Sequence, residues 1–174
     1  LFTALDFLGD GLYELDPELD LPPRLIISCP EGFGLGFFNS FDTRMEDGRL
    51  ILYGPLFALN LVIAIDVDAI ADETVFPADL SGLFAALSSG SIRIVAGSLP
   101  PEDSDLFNPA AAKFSPEGTL YVLDQAGKLW EVNPDGNDEK TLLASLQPGL
   151  DNMTFDEDGR LYMSNNDEGW VAEI

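Results

Sequence analysis

Phe114-Ser115-Pro116-Glu117-Gly118-Thr119-Leu120-Tyr121 recurs as Phe155-Asp156-Glu157-Asp158-Gly159-Arg160-Leu161-Tyr162, with Phe, an acid, Gly, Leu and Tyr all returning at an offset of 41 residues. A second match follows: Gly127-Lys128-Leu129-Trp130-Glu131-Val132 against Gly169-Trp170-Val171-Ala172-Glu173-Ile174, at an offset of 42 after a one-residue insertion. Strand-like runs around acid-Gly turns, returning every 40–50 residues or so, mark the blades of a β-propeller. The fold class predicted is all-β.

The two repeats supply a template. Residues 110–114 read as an innermost strand, 119–123 as the second, 129–132 as the third and 141–145 as the outer one, with Asn133-Pro134-Asp135-Gly136-Asn137 as a turn. The next blade starts at Gly149 and runs to Ile174 without an outer strand. Upstream, 11–15 reads as a strand and 24–28 as an outer strand. Residues 32–37 read as the next inner strand, and Asp47-Gly48-Arg49-Leu50 repeats Asp158-Gly159-Arg160-Leu161 word for word. Residues 50–53 and 61–67 then supply the second and third strands, and 92–96 the outer one, with Ile92, Ile94 and Ala96 on one side. In the insertion at about 72–90, Asp79 is placed to cap a short helix carrying Leu80, Leu83, Phe84 and Leu87 over a sheet edge.

The blade pieces therefore fall at about 1–29, 30–97, 108–146 and 149–174, one domain of roughly four blade-equivalents. Propellers close with about 4–8 blades. The chain opens at Leu1 without a methionine and ends inside a strand, so a partial chain of a longer ring is expected, with a complete four-bladed ring as the rival.

Thirty-one acidic residues stand against 8 basic ones, a net charge of −23, and there is no histidine. Nucleic acid is excluded as a partner, because phosphate binding needs clustered Lys and Arg. An anionic membrane surface is excluded for the same reason. The acids lie in turns and strand ends, which suits a solvated surface, a high-salt habitat, or cation binding by a few of them. Residues 50–65 carry no charge, but the run is too short for a membrane span, and Gly54-Pro55 and Asn60 interrupt it. Two buried strands joined by a turn are expected there. The single cysteine, Cys29, excludes a disulfide within the chain and reads as a small buried hydrophobe. A soluble protein is expected, with cytoplasm, periplasm and secretion all open.

Without histidine, Ser-His-Asp, Cys-His and His-ligated zinc sites are not available from this chain. Gly32-x-Gly34-x-Gly36 is followed by no helix pattern, so it is no phosphate loop. Asp135-Gly136-Asn137-Asp138 and Asp156-Glu157-Asp158-Gly159 lack EF-hand spacing and suit hairpins. What remains is position. Inner-strand starts converge at one mouth of the channel. Anchoring on the apolar residue four positions along each strand makes Glu31, Ala110 and Asp151 equivalent. Asn152 follows Asp151, and Asn108 lies two before Ala110. Carboxylate and amide oxygens from different blades suit a hard cation. The competing reading is that these residues only bond backbone amides in turns.

Pro30-Glu31-Gly32-Phe33-Gly34-Leu35-Gly36, the run from Asp47 to Pro55, the run from Asn108 to Phe114, and above all the stretch from Gly149 to Asn165 resemble the SMP-30/gluconolactonase/LRE family of regucalcin-like six-bladed propellers. The resemblance spans about two thirds of the chain. It implies a divalent cation in the channel, Ca²⁺ foremost and Zn²⁺, Mg²⁺ or Mn²⁺ as alternatives, and hydrolysis of a small lactone or ester. Carried over, Glu31, Asp151, Asn152 and Asn108 are the metal-ligand candidates, and Asp151 is also the catalytic base. Two departures stand out. Glu31 takes the place of a common Asn, and Ala110 offers no ligand. NHL-type propellers share the Asp-Gly-x-Leu-Tyr turn, so a non-catalytic module binding a protein or small ligand is the alternative function.

Overall fold

The computed structural model describes residues 2–5, 11–15, 22–28, 39–70, 74–75 and 81–174. They form four sheets in chain order. In the first, β1 (Phe2–Leu5), β2 (Gly11–Glu14) and β3 (Arg24–Ser28) are antiparallel. The second opens with β4 (Asp42–Glu46), β5 (Arg49–Leu56) and β6 (Leu61–Asp66). The two-residue β7 (Thr74–Val75) returns to the first sheet, parallel to β3, and β8 (Ile92–Ala96) closes the second beyond β6. The third holds β9 (Pro109–Phe114), β10 (Leu120–Asp124), β11 (Lys128–Val132) and β12 (Lys140–Ser145) as a meander. The fourth holds β13 (Leu150–Phe155), β14 (Leu161–Asn165) and β15 (Trp170–Glu173). Strand β9 packs against both β5 and β13, and Ser40 bridges to Ala111 in parallel. The leading strands of three successive sheets thus gather on one side, the radial arrangement of β-propeller blades around a channel.

The core lies between blades. One seam joins Leu12, Ile26 and Ile27 to Leu52, Ile63 and Ile65. A second joins Ile51, Tyr53, Val62 and Ala64 to Ala112, Leu120, Val122 and Trp130. A third joins Ala111, Leu123 and Leu129 to Leu150, Met153 and Met163. Successive side chains of a strand point to opposite faces. A sheet buried on both faces therefore needs a continuous apolar run. That accounts for the uncharged stretch 50–65, which is β5 and β6 joined by a short 3-10 turn at Phe57–Leu59.

Four expectations change. The strand that leads the second sheet is β4, not 32–37, which lies outside the described residues, as do Cys29 and Gly32-x-Gly34-x-Gly36. Glu46 pairs with Arg49 across the two-residue turn Asp47-Gly48, where both residues have positive φ, so the strand before β5 must end at Glu46. Strand β3 is interior to its sheet rather than at its edge, because β7 adds beyond it. A bulge opposite Val62 and Ile63 turns Ala96 into the second seam, while Ile92 lies in the first. Finally, α1 (Ser81–Ser89) buries Leu83 and Ala86 in the first seam and packs on β7 and β8, leaving Phe84 49% exposed. Asp79 and Leu80 lie outside the described residues.

Candidate channel-mouth site

The hairpin turns give a common ruler for the inner strands. Eight residues before Gly48, Gly118 and Gly159 stand Ser40, Ala110 and Asp151. The backbone sets the first two strands side by side one residue off this ruler, with Ser40 bridged to Ala111 and Ala112 N donating to Ser40 O at 2.9 Å. Next to Ser40, the Asn39 amide crosses to the fourth blade. Its Nδ2 donates to both the Oδ1 and the backbone O of Asp151, each at 3.3 Å. The mouth is therefore closed between the second and fourth blades by a carboxamide–carboxylate contact, with Ala110 of the third blade fully buried beside it.

Asp151 is half-buried, and its Oδ2 takes no hydrogen bond from a described residue. Asn152 is exposed, and its Oδ1 accepts from Met153 N at 2.8 Å, a contact within its own strand. Asn108 adopts a left-handed backbone (φ 47°) at the foot of β9, with its N–H donating to Asn60 Oδ1 at 2.9 Å. Its side-chain amide is unbonded among the described residues. Glu31 lies outside the described residues. The structure thus brings Asp151 together with Asn39, a residue that the sequence reading passed over. Among the described residues, no group of three or more Cys, Asp or Glu side chains converges. The oxygens left open, Asp151 Oδ2 and the Asn39 carbonyl, are hard donors. They fit Ca²⁺ or Mg²⁺ better than zinc, which favours nitrogen and sulfur.

Buried polar residues hold the loops that carry this mouth. Asp124 Oδ2 accepts from Trp130 Nε1 at 3.2 Å and from Phe107 N at 3.5 Å, and Oδ1 accepts from Lys128 N at 3.0 Å. Forty-one residues on, Asn165 donates to Pro148 O at 2.8 Å and accepts from Glu168 N. Both tie the end of a second strand to the connection entering an inner strand.

At the opposite, hairpin end of the second seam, Glu46 accepts from Arg44, Arg93 and the buried Tyr53 hydroxyl. Burial alone would push the Glu46 carboxyl up. Hydrogen bonds from Tyr53 and Arg44, with the charges of Arg93 and Arg44, outweigh it and hold the carboxyl below its usual range. Burial first, and then the bond to Glu46, raises the Tyr53 hydroxyl well above its ordinary value. With every acceptor on Glu46 engaged, this cluster is a clasp between blades. The acidic turns are likewise occupied. Asp156 Oδ1 accepts from Asp158 N and Arg160 N, and Asp138 Oδ1 from Gly97 N and Lys140 Nζ.

Fold and mouth together define a β-propeller with carboxylate and amide oxygens gathered where its inner strands begin. No family model matches the chain. Bovine adipocyte plasma membrane-associated protein is 30% identical over 186 residues, covering 97% of this chain and 42% of that protein. The rat protein of the same name is 30% identical over 112 residues, covering 56% of this chain and 30% of its own length. The chain thus spans less than half of these curated relatives. Among solved structures, selenomethionine-substituted virginiamycin B lyase from Staphylococcus aureus aligns with 75% of this chain and 39% of its own, at 12% identity and a TM-score of 0.43. No helix among the described residues is long and apolar enough to cross a membrane.

Proposed function

We propose that the protein is a hydrolase of small lactones or esters, built like the six-bladed SMP-30/gluconolactonase enzymes it resembles, with a hard divalent cation, Ca²⁺ foremost, at the channel mouth. The observation that carries this reading is the Asp151 carboxylate, oriented by Asn39 of another blade and with Oδ2 open among the described residues. Asp151 and Asn39 would hold the ion, with Asn108 within the same loop set. Bound there, such an ion would polarise the scissile carbonyl and lower the pKa of a water. The chain's own residues supply the rest. Asn39 fixes the carboxylate plane, so that one Asp151 oxygen would face the ion while the other accepts the proton of the attacking water, and the alanines of β9 bring the neighbouring backbones close.

Ala110 favours the second reading, a non-catalytic propeller that binds a ligand, because the inner strand of the third blade starts on a side chain with no donor atom. Calorimetric Ca²⁺ titration of the full-length protein beside Asp151→Ala decides between them, run with a p-nitrophenyl ester assay. Stoichiometric binding and turnover that the variant loses support the hydrolase. Binding unchanged by the substitution makes Asp151 a turn residue and leaves the binding module.

A further inference from the structure

Asn60 is the amide in the uncharged run 50–65. It ends the 3-10 turn that joins β5 to β6, in a left-handed conformation (φ 53°). Asparagine tolerates that backbone, and its short amide offers both an acceptor and donors. Its polar groups reach one segment, the connection from β8 to β9. Asn60 Nδ2 donates to Pro101 O at 3.2 Å, and Oδ1 accepts from Asn108 N at 2.9 Å. The backbone O accepts from Ser104 Oγ at 3.0 Å. A residue of the second blade thus holds the crossover into the third at three points.

The last of those points along the chain is the foot of β9. Asn108 is left-handed there (φ 47°). Asp124 Oδ2 accepts from Phe107 N, and Gln125 N donates to the carbonyls of both Phe107 and Asn108. Those bonds tie the dipeptide to its own blade, whereas the bond from Asn60 ties it to the second. Strand β9 is in turn the spacer of the mouth. Ser40 runs along one side of it, bridged to Ala111, and β13 packs on the other. Asn39 precedes Ser40 and Asp151 lies on β13, so their 3.3 Å contact closes around the start of β9. Ala110 and Ala111 are fully buried there and carry only a methyl group each. The height and direction at which β9 enters therefore set the gap that Asn39 and Asp151 span.

We infer that Asn60 is a positioning residue of the channel mouth, which fixes Asn108 and the foot of β9 and so keeps Asn39 against Asp151. For a bound ion this rests on the site proposed above; for the Asn39–Asp151 contact it does not.

The test reads the Asn39 amide directly. The protein is labelled with ¹⁵N-asparagine, and the side-chain amide signal missing from Asn39→Ser is assigned to Asn39. Asp151→Ala shows where that signal lies without its carboxylate. Asn60→Gly keeps the left-handed backbone and removes both side-chain bonds, and it is expected to move the Asn39 signal toward the same position. Asn60→Asp keeps an acceptor for Asn108 N and should leave the signal in place. A fall in stability alone does not move it, and urea melts show each variant folded. Should Asn60→Gly not fold, Asn60→Ser is read instead, because its hydroxyl reaches less far than the amide. In calorimetry, Asn60→Gly should bind Ca²⁺ roughly tenfold more weakly than wild type, and Asn60→Asp should recover most of the loss. An Asn39 signal that stays put in the folded variant lacking the amide, or that moves equally in Asn60→Asp, overturns the inference whatever the protein binds. A signal that moves and is rescued by Asn60→Asp, with Ca²⁺ binding absent or unchanged, upholds Asn60 and removes the ion from the mouth instead.

Discussion

Replacing Tyr53 by Phe takes a single oxygen from the second seam. The ring is fully buried and meets Phe114 edge-on, with centroids 4.9 Å apart and an interplanar angle of 89°. Phenylalanine keeps that packing. What goes is the hydroxyl that donates to Glu46 and accepts from Arg93 and Arg44. A hydrogen bond to a charged group contributes about 1.5–3 kcal/mol. Glu46 keeps both arginines, so we expect a loss near the lower end, about 2 kcal/mol. For a chain of this length that lowers Tm by roughly 4–8 °C. The pH dependence adds a second signature. A hydroxyl whose pKa is raised by folding contributes stability that is whole below the unfolded value of about 10 and is lost as pH rises through the folded value. The gap between wild type and Tyr53→Phe should therefore be full at neutral pH and narrow in alkali. Urea denaturation at pH 7 and at a series of alkaline pH values measures both. A loss below about 0.5 kcal/mol, the size of an ordinary surface change, would refute the clasp. So would a gap that stays constant into alkali.

Asp124→Ala strands three donors around a fully buried position, and about 3–5 kcal/mol of stability should go with it. Asp124→Asn should still cost about 2–3 kcal/mol, because its NH2 would meet an N–H donor where that of Asn165 meets the Pro148 carbonyl, and urea midpoints measure both variants. At Gly97 (φ 87°) an added Cβ would stand 2.1 Å from Asn60 O, so Gly97→Ala should cost more than about 3 kcal/mol. Gly48 (φ 81°) has nothing within 4 Å, so Gly48→Ala should cost only about 1 kcal/mol of backbone strain, as thermal melts can show.

The third and fourth blades were legible because their turns, tyrosines and glycines return almost in register. The second was misread at its leading strand for a physical reason. Asp42-Thr43-Arg44-Met45-Glu46 borders the channel and the blade's polar end, so it needs no apolar alternation and resembles a loop. The apolar, glycine-rich run 32–37 resembled a strand instead, which drew the anchor to Glu31. The signal that would have corrected this was present. Counting back from Gly48 by the spacing that leads from Gly159 to Asp151 lands on Ser40, beside Asn39. The helix is a subtler case. Leu80, Leu83, Phe84 and Leu87 have helical spacing, and Leu83 and Leu87 do meet the seam, but Ala86 joins them while Phe84 stays exposed.

The period of the sequence and the period of the stability are out of step. What recurs along the chain is a sheet, whereas what excludes water is the gap between one sheet and the next. Each copy of the repeat therefore owns two half-cores and no whole one. Coupling is nearest-neighbour, as in a one-dimensional array. Splitting the chain in the connection between β8 and β9 would sever the second seam in full and leave the first and third nearly untouched. Two such halves, expressed separately, would carry complementary bare faces, Ile51, Tyr53 and Val62 on one and Ala112, Val122 and Trp130 on the other, and the surface that once stabilised a single molecule would become the adhesive for reassembling it.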